Sequence, residues 1–311
     1  MSRKTKGLLA MLCAAAAAIT LQADAADVVL TSDITTDTTW KSTNTYRLDN
    51  QIFVKNGATL TIEAGTLIQG DKESNEAGDS DDPGALIVAR NAKIRAMGTA
   101  ADPIVFTSTQ GVYSGTSANL NDGRNAEWGG VILLGDTYLA TEVGEGETPA
   151  VYSPDASLEL QIEGLEDYGT DSKYGGGDDD DDSGEMHYVS IRYGGYVLGT
   201  ANEINGLTLG GVGRATDIDH IEVYQNKDDG LEFFGGTVNT KYILCWMVGD
   251  DSFDWDEGFR GKGQFWAVMQ GPIGTVDKSD KGSEMDGANG DGSLPSSCPT
   301  IYNATYIGHG S

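Results

Sequence analysis

The chain has 311 residues, with 20 Lys and Arg against 48 Asp and Glu, a net charge of −28, 43 Gly and only 7 Pro. Such an excess of carboxylates excludes a nucleic-acid binder that works by phosphate neutralisation, and it disfavours anionic membrane surfaces. Hydrophobic residues make up 39% and gather in short runs rich in Val, Ile, Leu, Tyr and Phe, which excludes a disordered chain.

The first segment reads as an export signal. Arg3, Lys4 and Lys6 precede an apolar run from Gly7 to Leu21, and Ala23-Asp24-Ala25 offers small residues where a signal peptidase reads, which places the mature start at Ala26. The run is shorter than the ~20 residues that a bilayer span needs, and no later segment is long and apolar enough. The expectation is therefore a secreted product, extracellular, periplasmic or at the cell surface, without a transmembrane segment. In an oxidising compartment Cys245 and Cys298 are free to bridge, but Cys245 lies in an apolar strand-like run that equally suits a buried thiol.

After the signal, helical periodicity is nearly absent. Short apolar or alternating runs follow one another instead: Gln51 to Val54, Ala58 to Ile62, Ala85 to Val88, Pro103 to Thr107, Gly130 to Leu134, Met186 to Tyr193 and Gly206 to Leu209. Polar stretches at Asp71 to Asp82, Thr109 to Glu127, Gly144 to Pro154 and Asp171 to Gly184 read as inserted loops. The last of them holds five consecutive aspartates, Asp178 to Asp182, a run expected to be a mobile, solvated loop.

An internal repeat decides which all-β architecture this is. His220 to Gly236 aligns without gaps on Tyr242 to Gly258 at an offset of 22 residues, so that Ile221 falls on Ile243, Tyr224 on Trp246, Phe233 on Trp255, and Asp228-Asp229 on Asp250-Asp251. A further step of 22 places Phe265, Ala267 and Met269 on the first strand again. A period in the low twenties without a helix suits one coil of a parallel β-helix, whereas a propeller blade needs about 40 residues. One domain, residues 26–311, is expected. Ile301 to Ile307 reads as a further strand with no cap after it, which predicts missing C-terminal coils or self-association through an open coil.

The phrases Asn56 to Thr66 and Asn91 to Thr99, the Ala100 to Ser108 continuation, Ile191 to Gly195 and the two acidic repeats together resemble a group of secreted bacterial right-handed parallel β-helix proteins. The resemblance implies fold and export and carries no settled activity.

Coil stacking has a chemical consequence. Neighbouring strands lie ~4.8 Å apart, so the repeat sets Asp228 and Asp229 over Asp250 and Asp251, with Asp254, Asp256, Glu257 and Glu232 near in sequence. Two carboxylates at ~5 Å repel by about 3 kcal/mol at an effective dielectric near 20. A bound cation, raised pKa values or side chains turned to solvent would relieve this. Oxygen-only donors favour Ca²⁺, with Asp228, Asp229, Asp250, Asp251, Asp254 and Asp256 as its ligands.

Tyr224, Trp255 and Trp266 beside this turn would stack on sugars if exposed, giving a polysaccharide-binding or adhesive surface, and would form a buried ladder if not. The fold also hosts polysaccharide lyases, in which Ca²⁺ acidifies a proton and a basic residue removes it. Arg260 or Lys262 would be that base here. A hydrolase would use paired carboxylates instead, and Asp250-Asp251 with Gly308-His309-Gly310 superficially looks like the polygalacturonase pattern, without its other elements. The readings left open are a structural, adhesive or glycan-binding surface protein with a polysaccharide or protein partner, an enzyme acting on acidic polysaccharide, and a subunit of an extracellular filament or layer.

Overall fold

The computed structural model describes residues 26–72, 83–110, 124–141, 155–162, 164–199, 202–271, 281–288 and 293–308. Residues 1–25, the expected export signal, and His309 lie outside the described residues. Apart from one 3₁₀ segment, Glu166–Ser172, the described elements are β-strands.

The strands wind into coils whose equivalents pair in parallel. A 14-stranded sheet runs from Ala26–Leu30 to Thr300–Tyr302, and its widest strands are Gly184–Arg192, Asp217–Tyr224 and Asn239–Trp246. A six-stranded sheet stacks Gln51–Val54, Ala85–Val88, Val131–Leu134, Leu207–Gly210, Leu231–Phe234 and Phe253–Asp256. The architecture is a right-handed parallel β-helix, the hand that right-twisted parallel strands joined by crossovers require.

Alternation decides which side chains fill the coil. In Leu231–Phe234 and Phe253–Asp256, Leu231, Phe233, Phe253 and Trp255 point inward, while Glu232, Phe234, Asp254 and Asp256 point outward. The inner positions form one continuous core from Ile34 to Val268, and each large apolar side chain in it contributes about 1.5–3 kcal/mol of burial. A second cluster lies outside the smaller sheet, where Ile162, Leu165 and Tyr174 from the 155–175 excursion cover Ile132 and Leu134.

Register confirms the 22-residue pitch between Asp217–Tyr224 and Asn239–Trp246, and between Leu231–Phe234 and Phe253–Asp256. The next step is longer by one residue, because Cys245 pairs with Val268 and Trp246 with Met269. A slip of one exchanges the two faces of a strand. It turns Ala267 and Met269 away from the positions the repeat assigned them and drives Trp266 into the core, 1% exposed and stacked on Phe253 at 4.1 Å.

Of the two alternatives for the cysteines the structure has the free thiols, Cys245 buried and Cys298 exposed. One further expectation is corrected. The aspartate row is a seam with assigned partners. Asp179 holds Arg260 at 2.7 Å and Arg214 at 3.4 Å, Asp180 meets Arg214 at 3.1 Å, and Asp182 meets Lys93 at 2.5 Å. Asp181 lies against Gly213, and its carboxyl is pushed up to about 6, chiefly by burial.

Candidate metal centre

The acidic turn follows the long-sheet strands, and glycine fixes its path. A Cβ on Gly230 would lie 2.6 Å from both Cys245 Sγ and Ser252 O, so only glycine lets the chain turn from Asp229 into the next strand. Asn205, Asp229 and Asp251 occupy equivalent positions on three successive coils. The Asp229 amide donates to Asn205 Oδ1 at 3.2 Å, and the Asp251 amide donates to Asp229 Oδ1 at 2.9 Å.

Two carboxylate trios result. Asp228, Asp229 and Asp250 each bring an oxygen within 4.8 Å of the others, and so do Asp229, Glu232 and Asp254. Four of the six expected ligands are therefore brought together, and Asp229 belongs to both groups. Asp251 and Asp256 join neither trio. Asp256 lies one outward position along the strand, in register with Phe234. Glu232 takes part although the repeat alone did not single it out; its outward place between Leu231 and Phe233 is the signal that identifies it.

Burial dominates the electrostatics. Asp229 and Glu232 are held well above the usual carboxylate range, first by desolvation and then by neighbouring carboxylates. Asp254 is pushed up to about 6 by burial, with Glu284 and Asp286 adding to it. Among the described residues no donor reaches Asp254 Oδ1, a shielded acceptor. Glu232 is oriented by Asn205 Nδ2.

A segment outside the repeat closes the column. The Glu284 and Asp286 amides donate to Phe253 O at 3.0 Å and Trp255 O at 2.9 Å, laying 281–288 along the last strand of the smaller sheet. Lys281 reaches Asp251 at 3.5 Å and Glu284 at 2.6 Å. Asp251 is pushed up to about 7 by burial and by its contact with Glu284. Glu284, exposed and paired to Lys281, is lowered, so the buried partner holds the proton.

This chemistry fits a hard divalent cation: several carboxylate oxygens, a shielded acceptor with no donor among the described residues, and no imidazole or thiolate in either trio. A cation at Asp229, Glu232 and Asp254 would stabilise the charged forms that burial opposes.

The aromatic residues are placed differently from a binding surface. Trp255 is 5% and Trp266 1% exposed, both in the main core. Tyr224, 4% exposed, packs between Tyr193 and Trp246 on the outside of the long sheet, with the Arg192 guanidinium over its ring. None of the three offers a free ring face, which corrects the stacking-platform expectation. Inward alternation and the one-residue slip account for the two tryptophans.

The basic residues stand apart as well. Arg260 is bound to Asp179 and to the carbonyls of Tyr138 and Gly258. Lys262 is exposed beside Asn239 and Thr300 at the start of its strand. The long sheet also carries an open polar groove of about 450 Å³ on its outer face, lined by Thr39, Thr61, Lys93, Arg95 and Glu185 among others.

No helix among the described residues is long and apolar enough to cross a membrane. No curated protein and no solved structure matches the chain. Residues 32–311 do match the family model described as a pectate-lyase-like β-helix domain, and the chain belongs to that family.

Proposed function

We propose that this is an exported β-helix scaffold that binds Ca²⁺ through Asp229, Glu232 and Asp254, with Asp228 and Asp250 on the adjoining turn, and serves a structural or adhesive role at the cell surface. The observation that carries the reading is the trio of convergent carboxylates, in which Asp254 Oδ1 is shielded from water and accepts no hydrogen bond from the described residues. A lone carboxylate column would be costly in a dry site, whereas a divalent ion converts the same repulsion into ligation.

Calorimetric titration of the calcium-stripped protein tests this. Saturable calcium binding with proton release near pH 6, and a higher melting temperature with calcium than with chelator, are expected. Identical melting curves under both conditions would remove the proposal. Incubation with acidic polysaccharide, followed for unsaturated products and reducing ends, separates the scaffold from an enzyme. The enzymatic reading draws little support from Arg260, whose guanidinium is already committed to Asp179.

A further inference from the structure

A second group of ligand-capable side chains lies on the outer face of the long sheet, with different donors. The chain contains 3 histidines, and two of them converge on one carboxylate oxygen. His187 Nδ1 is 3.0 Å from Asp219 Oδ1, and His220 Nδ1 is 2.7 Å from the same atom. The convergence is built by the coil, since His187 and Asp219 are register partners on adjacent strands, as are Glu185 and Asp217.

Each contact fixes a tautomer. An imidazole that donates from Nδ1 to a carboxylate keeps a lone pair on Nε2, the arrangement by which outer carboxylates orient metal-binding histidines. His220 is further held in a column of rings, between Tyr188 at 4.1 Å and Tyr242 at 4.6 Å, which secures the far side of Asp219. The next residue in the row, Lys241, lies over the Tyr242 and Phe265 rings. Burial would raise Asp219, but its bonds from His220 and His187 outweigh that and keep it charged.

The remaining atoms face each other across a gap. His187 Nε2 is 3.8 Å from Asp217 Oδ2, too far for a hydrogen bond even if the ring were protonated. It is close to the separation of two ligands on one ion with bonds of about 2.0–2.2 Å. Asp219 belongs to the same group, with one ligand-capable atom from each of the three residues within 4.8 Å of the others, and it holds the ring from its Nδ1 side. Asp217 is exposed, so water has access to the remaining coordination positions.

We propose that His187 Nε2 and Asp217, with water at the remaining positions, form a solvent-open site for a divalent transition ion of the zinc class, with Asp219 as the outer carboxylate that orients His187 and His220 positioning Asp219. The mixed nitrogen and oxygen donors select such an ion over calcium, and the site stands independently of the carboxylate column on the other sheet.

The test titrates zinc alone into the mature protein with calcium in excess, so that the carboxylate column is occupied. One equivalent of zinc is expected to bind. His187→Gln and Asp217→Asn should each weaken it at least tenfold, while His309→Gln leaves it unchanged. His220→Phe, which keeps a ring in the stack, should weaken zinc about tenfold without moving the melting temperature. As a check that needs no variant, zinc should shift the His187 imidazole resonances ahead of those of His309. Wild-type affinity no tighter than that of His187→Gln, or binding lost in His309→Gln and retained in His187→Gln, would overturn the assignment.

Discussion

Asp254→Asn separates a cation site from a merely crowded set of carboxyls, because the two make opposite predictions with and without calcium. Burial lifts Asp254 from 3.8 to about 6. The folded state therefore holds a proton that the unfolded state has released over that interval, and stability from this group falls as pH rises from about 4 to about 6. Above that window the charged side chain costs the calcium-free fold about 3 kcal/mol at roughly 1.4 kcal/mol per factor of ten in proton affinity. Partial contact with solvent reduces this to about 1.5 kcal/mol. Asn has the same shape without the charge, so at pH 8 in chelator the variant should melt about 3–6 °C above wild type. At pH 4, where the wild-type side chain is neutral, the difference should nearly vanish.

Calcium should reverse the order. An ion at one hundred times its dissociation constant stabilises wild type by about 2.7 kcal/mol, and the variant, one charged ligand short, gains less. Thermal melts at two pH values, each with calcium and with chelator, give the full comparison. A variant less stable than wild type at pH 8 in chelator would refute the electrostatic reasoning, and equal calcium shifts in both proteins would refute the ligand assignment.

Trp266→Ala should cost about 3–5 kcal/mol through the cavity it leaves, read by denaturant unfolding, and should leave any polysaccharide affinity unchanged, since the ring is enclosed. Asp179→Ala should lower stability by about 2 kcal/mol, because it strips both Arg214 and Arg260 of a partner; an unchanged melting temperature would return the aspartate row to a solvated loop. Of the two cysteines, Cys298 should react with a thiol reagent in the native protein and Cys245 only on unfolding, given their exposed and buried positions.

The pitch was legible because a parallel coil demands like residues at like positions, and Asp228-Asp229 over Asp250-Asp251 met that demand. The slip at the next coil was not. Phe265, Trp266 and Ala267 read as a strand in either register, and the choice rests on Trp266 filling the space beside Phe253. Glu232 could be found from alternation alone, whereas Lys281, Glu284 and Asp286 arrive from a segment with no repeat to announce them. Composition suggested that the aspartate row is solvated, because run-length says nothing of where Arg214, Arg260 and Lys93 stand in space. The histidine pair was hidden for a related reason. His187 and Asp219 belong to a coil lengthened by its insertions, so their pairing appears only once strand register is known.

The same property that makes this fold readable makes its charge a problem. In-register stacking repeats any outward carboxylate at the strand spacing, and the protein meets that in three ways along its length. Where basic residues stand within reach they pair with the row directly, Asp179 with both Arg214 and Arg260, Asp180 with Arg214 and Asp182 with Lys93. Where Lys281 folds back, one cation serves Asp251 and Glu284 and a proton covers the rest. Asp229 is buried and Glu232 and Asp254 are half-buried, and among the described residues no ammonium or guanidinium is hydrogen-bonded to Asp254 Oδ1. Among the described residues Lys281 offsets part of that charge at Asp254, and a proton or a multivalent ion can balance the rest. Asp254, pushed up to about 6, sheds its proton below neutral pH, and on the proposed function a multivalent ion would take that proton's place there.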